Sequence, residues 1–274
     1  MSFSSLKKSS PWSAPDPQDV KKSVLFLTFL IVAGCAHAPC QKKVVFQNAP
    51  IQALLAGCYG GTMSVQDLGK HGDFGIGTLD ALDGEMIVLD HAFYQIQPDG
   101  KARRLNGADM SPFATVIFFE AGQELSLQRT MSFKDLETFL DAKLPSGNLI
   151  YAIKVEGTFS FVKVRSAVRQ NKPYAVLSEA ISGQKVFELK DQEGTLVGFR
   201  FPPYTEGINV PGYHFHFLSK DRTVGGHVMD LRVEKARVQI DKSGRFSLEL
   251  PASEEFLKFQ FHADVREAIR KAEQ

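Results

Sequence analysis

Apolar and polar residues alternate with a period of two over much of the chain, which is the pattern of half-buried β-strands. Residues 213–218, 237–240 and 245–250 show it most clearly. The continuous apolar runs 86–89 and 115–119 predict strands that are buried on both faces. The pattern therefore predicts a chain dominated by β-sheet.

Helical spacing is confined to short segments. In residues 132–140, Ser132 provides an N-cap and apolar residues follow three to four positions apart, which predicts an amphipathic helix. The tail, residues 264–272, predicts a second helix whose main apolar residue, Ile269, we expect to dock against the sheet formed by the second half of the chain. A break at residues 144–147, Leu-Pro-Ser-Gly, fits a boundary between two halves.

Composition narrows the possible functions. The chain has 274 residues, of which 43% are apolar and 22 are Phe, enough for one large core or two modest ones. Its 32 basic and 31 acidic residues nearly cancel, and the body contains no long basic run interleaved with aromatic residues. We therefore expect no nucleic-acid partner. The three cysteines do not form a disulfide framework, and Cys58 fits a small apolar core residue better than a nucleophile.

The first 40 residues form a leader. Lys21 and Lys22 precede the apolar run 24–33, which has the length of a secretory signal and is too short for a permanent membrane span. The run ends in Val-Ala-Gly-Cys at 32–35, which resembles the bacterial lipoprotein box, so we expect a lipid on Cys35. Ordinary cleavage after Ala38 is the alternative. Both predict an exported protein, either membrane-anchored through the lipid or periplasmic or extracellular.

Three of the seven histidines lie close together in the second half. His214 and His216 are two residues apart and share one face of a strand, and His227 follows after a polar turn, so a hairpin would bring all three together. Three imidazoles that leave an open position typically bind a catalytic divalent metal, with zinc as the default. The alternative is a half-buried strand whose histidines only form hydrogen bonds.

Two charged residues are further candidates. Asp83-Gly84 predicts a hairpin turn that places Glu85 at the start of an apolar strand, where a carboxylate needs a metal or an arginine as a partner. An edge carboxylate that caps the turn explains Glu85 equally well. Arg165 ends a predicted strand and, on the pattern alone, fits a solvated strand terminus.

The order of several motifs resembles the α-acetolactate decarboxylase family. The resemblance covers the chain from about Gln52 to the C-terminus. The matching blocks are His-Gly-Asp-Phe-Gly-Ile-Gly-Thr at 71–78, Leu-Asp-Gly-Glu-Met-Ile at 82–87, Ser-Pro-Phe at 111–113, Leu-Pro-Ser-Gly-Asn-Leu at 144–149, Tyr-Ala-Ile at 151–153, Gln-Asn-Lys-Pro-Tyr at 170–174, Gly-Tyr-His-Phe-His-Phe at 212–217 and Gly-Gly-His-Val at 225–228. One departure is His91, which stands where a glycine is expected in an Asp-Gly turn.

The resemblance implies a fold and an assembly. The fold class is mixed α/β (α+β), with two packed domains built on mixed and antiparallel β-sheets and few short helices. With the leader at 1–40 and the break at 144–147, we expect an N-terminal sheet domain at 41–145 and a C-terminal sheet domain at 146–274 that carries the metal. A homodimer is also implied.

The resemblance further implies roles for individual residues. It makes His214, His216 and His227 ligands of Zn²⁺, and Glu85, Arg165 and Glu273 catalytic residues. Which glutamate donates a proton and which binds the metal stays open. Thr78 would bind the substrate, although a strand residue with only a packing role is the alternative.

The implied reaction is zinc-dependent decarboxylation of (S)-2-acetolactate to (R)-acetoin and CO₂. The substrate's own ketone can accept the electron pair, so neither thiamine nor pyridoxal is needed. Two alternatives remain at this stage. One is another zinc lyase or hydrolase in which Glu85 activates a metal-bound water, and the other is a lipoprotein that binds metal without turnover.

Overall fold

The computed structural model describes residues 43–260 and 266–273. The leader, with Cys35 and Ala38, lies outside the described residues, and so does the side chain of Glu273. Among the described residues, no helix has the length and hydropathy that crossing a membrane requires.

β-Strands dominate the described residues, as the alternation predicts. The strands are β1 (Val45–Asn48), β2 (Met63–Ser64), β3 (Phe74–Thr78), β4 (Glu85–Leu89), β5 (Ala92–Ile96), β6 (Ala102–Arg104), β7 (Met110–Ser111), β8 (Ala114–Ile117), β9 (Gln123–Leu127), β10 (Met131–Ser132), β11 (Ile150–Ser166), β12 (Lys185–Phe201), β13 (Gly212–Ser219), β14 (Gly225–Ser243) and β15 (Phe246–Glu249).

The helices are short. They are α1 (Ile51–Leu55), α2 (Val65–Leu68), α3 (Phe133–Asp141), α4 (Leu177–Ala180), α5 (Glu254–Lys258) and α6 (Arg266–Glu273), with 3₁₀ turns at Asp80–Leu82, Ile181–Gly183 and Pro203–Thr205. The predicted cap of α3 is confirmed, because the Ser132 side chain accepts from the Asp135 N–H and the Asp135 carboxylate accepts from the Ser132 N–H. The predicted fold class, sheet-rich with few short helices, is confirmed.

The strands form two large sheets. The first sheet has seven strands in the order β15-β1-β8-β3-β4-β5-β6, in which only the β1–β15 pair is parallel. The second sheet has the order β10-β14-β11-β12-β13, with β9 also paired to β14. Because β13 pairs with the start of β14 as well as with β12, the four strands β11 to β14 close into a ring. β2 and β7 form a separate pair.

Each sheet takes strands from both sides of residue 145. β9 and β10 join the second sheet although they precede it, and β15 joins the first sheet although it follows the second sheet in sequence. The strand order of the two sheets does not decide the proposed division at residue 145, which stays a prediction.

The two large sheets bury one apolar layer between them. Ile87 and Leu89 of β4 pack in the same cluster as Phe199 of β12 and Leu218 of β13. The opposite face of the second sheet packs on α3 through Leu136 and Leu140.

The tail helix docks elsewhere than predicted. Ile269 is buried, as expected of an apolar anchor, but it packs in a cluster with residues of α1 and α4. That cluster contains no strand residue of the second sheet. Leu54 of α1 and Leu177 of α4 are buried in the same cluster and provide the apolar surface against which Ile269 packs.

Candidate active site

The His hairpin forms as predicted. β13 and β14 are antiparallel, and His216 lies directly opposite His227. On its other side, His227 lies opposite Arg165 at the end of β11. The ring of strands thus places Arg165, His227 and His216 side by side, with His214 two residues from His216 on the same face.

Strand periodicity explains why these side chains meet Glu85. On β13, His214 and His216 share a face with Leu218, which lies in the layer between the sheets. On β4, Glu85 shares a face with Ile87, which lies in the same layer. The carboxylate is therefore directed at the histidines from the opposing sheet.

The three histidines are buried and close enough to share an ion. One ring nitrogen from each lies within 4.8 Å of the others. Nε2 of His214 and Nδ1 of His227 are 3.1 Å apart, close to the spacing of about 3.3 Å between two nitrogens bound to one tetrahedral zinc ion.

His216 carries the clearest sign of a metal ligand. Its Nδ1 lies 2.9 Å from the carbonyl oxygen of Met86. A carbonyl only accepts, so Nδ1 carries the proton and Nε2 presents a lone pair. That Nε2 is buried and has no hydrogen-bond partner among the described residues, in a side chain that is 1% exposed. A buried acceptor without a partner is costly, and a metal ion would satisfy it in the arrangement typical of metal-binding histidines.

Burial also sets the charge of the rings. Removal from water lowers the pKa of His216 to about 3, with the charge of Arg165 acting in the same direction and the Met86 carbonyl opposing it. Burial, His216 and Arg165 lower the pKa of His214 well below its ordinary value. Both rings are therefore neutral near pH 7, which is the form that binds a metal.

Glu85 lies against His216. One of its carboxylate oxygens is 3.7 Å from His216 Nε2, which is a close approach and no ion pair because the ring is neutral. Burial raises the pKa of Glu85, and the charge of Arg165 and a hydrogen bond from the Ala167 N–H only partly offset this. The residue is 7% exposed and pairs with a strand on either side, so it is not the edge carboxylate considered above.

Arg165 is not a solvated strand terminus either. It is 5% exposed, and its Nη1 donates to the side-chain oxygen of Gln184 over 2.9 Å. A bulge between Phe159 and Phe161 shifts the register of β11, so that Phe159 before it and Val164 after it both lie in the cluster on the α3 side of the second sheet. Arg165 consequently faces the opposite way, toward the first sheet.

Thr78 lines the same pocket but its hydroxyl has a structural partner. The Oγ1 atom donates to the Gly84 carbonyl over 2.7 Å, across the turn that leads into Glu85. The hydroxyl oxygen can still accept a hydrogen bond. Its predicted role in substrate binding stays a prediction, as does that of Glu273, whose side chain lies outside the described residues.

The pocket also contains residues that sequence reasoning did not single out. Its apolar wall comes from residues on α1, the loops and the α4 region: Leu54, Leu82, Phe113, Ala167, Leu177 and Ile181. Phe113 belongs to one of the matching motifs, which was its only signal. Gln184, the partner of Arg165, has no signal in the sequence because it is an isolated polar residue before a strand.

Comparison with known proteins identifies the family of the chain. Residues 45–263 match the family model described as alpha-acetolactate decarboxylase. The chain belongs to the alpha-acetolactate decarboxylase family. The site residues His214, His216, His227, Glu85 and Arg165 all fall inside the matched range.

Relatives in the alpha-acetolactate decarboxylase family are similar over most of their length. The chain is 50% identical to the alpha-acetolactate decarboxylase of Methanosarcina mazei, over 84% of this chain and 80% of the relative. It is 40% identical to that of Bacillus licheniformis, over 84% and 91%. The crystal structure of alpha-acetolactate decarboxylase from Bacillus subtilis strain 168 superposes with a TM-score of 0.82 at 37% identity, over 84% of this chain and 98% of that one. The predicted family and enzyme class, a carboxy-lyase, are confirmed.

Proposed function

We propose that the chain converts (S)-2-acetolactate to (R)-acetoin and CO₂ with Zn²⁺ held by His214, His216 and His227. Family membership supports decarboxylation of acetolactate. The observation that carries the metal assignment is the buried Nε2 of His216, which has no hydrogen-bond partner within the described residues and lies beside two other neutral or buried imidazoles. Zinc is the default for three histidines.

For this reaction the chain has to bind the negatively charged carboxylate of the substrate and to deliver one proton to carbon. The bond between the substrate's carboxylate carbon and its neighbouring carbon breaks, CO₂ leaves, and the electron pair moves onto the ketone to give an enediolate. A proton then adds to carbon and yields acetoin. When bound, zinc would supply Lewis-acid stabilisation of the negative charge on oxygen.

Arg165 is suited to bind the carboxylate before it leaves. Its guanidinium is buried in the pocket wall, where charge-assisted hydrogen bonds to a carboxylate are strong. Orientation of the carboxylate by Arg165 would align the breaking bond with the ketone.

Glu85 is suited to hold the proton. It lies in the same pocket, and its surroundings favour the protonated carboxyl group. Glu273 is the alternative donor, as the family resemblance implies. Delivery from a fixed side chain to one face of a planar enediolate would give one enantiomer of acetoin.

A direct assay tests the proposal. Purified protein incubated with racemic acetolactate should release acetoin, and a chelator should abolish this until Zn²⁺ is added back. Chiral chromatography should show (R)-acetoin. Acetoin release that is unchanged in metal-free protein would refute the metal assignment, and absence of acetoin from zinc-loaded protein would refute the reaction.

We also propose that the chain is exported and forms a homodimer. The leader supports export, through lipid attachment at Cys35 or cleavage after Ala38, and the family resemblance supports the dimer. Light scattering during size-exclusion chromatography tests the dimer, and a mass equal to one chain would refute it.

A further inference from the structure

Gln184 contacts Arg165 from outside the metal-binding strands. Its side-chain oxygen accepts from Nη1 of Arg165 over 2.9 Å. The backbone of Gln184 is fixed on both sides. Its N–H donates to the Ile181 carbonyl over 2.9 Å, and the next residue, Lys185, pairs with Ser166 of β11. The backbone of Gln184 is thus held beside the end of β11, the strand that carries Arg165.

The chemistry of the amide suits a group that orients an arginine. An amide oxygen accepts a guanidinium N–H without adding a negative charge. A carboxylate at this position would form an ion pair with Arg165 and compete with an anionic substrate. A rotamer-rich arginine side chain also gains order from a fixed acceptor.

We propose that Gln184 is a positioning residue for the decarboxylation, holding the Arg165 guanidinium in the orientation that binds the substrate's carboxylate. This inference rests on the proposed function. Gln184 contacts Arg165 and is not needed to contact the substrate.

The position of Gln184 also connects Arg165 to the apolar wall of the pocket. The 3₁₀ turn that ends at Gly183 contains Ile181, and Leu177 of α4 precedes it. Both line the pocket. The hydrogen bond between Gln184 and Arg165 therefore links the charged part of the pocket to the segment 177–184, which supplies part of its apolar wall.

Steady-state kinetics of two substitutions test the role. Gln184→Met keeps the size of the side chain and removes the acceptor, and we expect kcat/KM to fall about tenfold, the scale of losing one hydrogen bond to a charged group. Gln184→Glu keeps an acceptor but adds a negative charge that competes with the substrate's carboxylate. We expect its KM to rise at least about tenfold. Gln192→Met is the matched control, because Gln192 is partly buried like Gln184 but its side-chain amide donates to the Lys190 carbonyl. It should leave both constants unchanged.

A double-mutant cycle separates positioning from a general structural effect. If Gln184 acts through Arg165, Gln184→Met should cost little further activity in an Arg165→Met background. Additive losses would overturn the proposal. A parental KM in Gln184→Glu would overturn the argument that the acceptor has to be uncharged. Zinc content and melting temperature should match the parent.

A crystal structure of zinc-loaded Gln184→Met gives a readout that does not depend on activity. We expect the Arg165 guanidinium to rotate or become disordered. An unchanged guanidinium in the variant would overturn the inference. So would a kcat/KM of Gln184→Met equal to that of the parent, provided that the parent releases acetoin. A parent that releases no acetoin refutes the proposed function instead, and the crystal structure still decides whether Gln184 orients Arg165.

Discussion

Single side chains in the site owe their properties to burial. His216 is neutral because it is removed from water, and its tautomer is fixed because the Met86 carbonyl accepts from Nδ1. Glu85 retains its proton more strongly for the same reason. The pocket therefore combines two neutral imidazoles with a carboxyl group whose pKa burial raises, around the fixed positive charge of Arg165.

The ligand assignment predicts the effect of removing one imidazole. His216→Ala should lose most of the bound zinc and reduce turnover at least about 100-fold, the scale of removing a group that stabilises transition-state charge. Some stability conferred by the ion should be lost as well. Metal analysis, acetoin assay and thermal unfolding measure the three effects.

His91→Ala is the matched control for that prediction. The His91 side chain is 76% exposed and lies near Asp73, outside the metal cluster. The control should retain zinc and activity. Full activity in zinc-free His216→Ala protein would show that the ligand set is wrong.

At the scale of elements, the β4–β5 turn departs from its preferred sequence. Asp90 and His91 both have positive φ values, 53° and 63°, and connect β4 to β5 in a two-residue turn. Such turns favour Asp-Gly because the second residue is strained without glycine. His91, which stands where a glycine is expected, therefore costs conformational free energy at this turn.

We predict that His91→Gly stabilises the protein. Relief of the left-handed conformation should exceed the entropy that glycine adds to the unfolded chain, raising the free energy of unfolding by about 1 kcal/mol or less. Denaturant unfolding measures the change. His91→Ala loses the same side chain without gaining the freedom of glycine, so it should show no such gain. Equal stability of the two variants would contradict the explanation.

The tail helix provides a second prediction about an element. Deletion of residues 271–274 removes Glu273 but leaves Ile269, whose packing anchors α6. We expect turnover to fall about 100-fold, the usual scale for losing a positioned acid–base group. Zinc content and melting temperature should change little.

Deletion of Gln274 alone is the control for the tail and should leave turnover unchanged. If the longer deletion also retained near-normal turnover, Glu273 would have no role in catalysis. Glu85 would then be the remaining candidate for the proton donor.

For the whole molecule, the sequence predicted the parts better than their assembly. The His hairpin, the turn before Glu85 and the cap of α3 follow from local rules, and the structure has all three. The burial of Arg165 did not follow, because it depends on a bulge in β11. Neither did the contacts of Gln184 and Ile269, which join residues far apart in the chain. Long-range pairing such as β1 with β15 leaves no local pattern.

The leader gives a prediction for the mature protein as a whole. Cys35→Ser should abolish lipid attachment, because only the thiol accepts the lipid. Metabolic labelling with a fatty acid measures this, with Cys58→Ser as a control that should retain the label. Label that persists in Cys35→Ser would place the lipid elsewhere, and an unlabelled parent would favour cleavage after Ala38.

The parallel pairing of β1 with β15 has a consequence for biosynthesis. β1 is the first strand of the described residues, and its neighbour at the sheet edge ends at Glu249. A chain emerging from the ribosome cannot complete the first sheet until nearly all of it has been made. During synthesis, the β1 edge of the first sheet therefore stays without its parallel partner until residue 249 has been added.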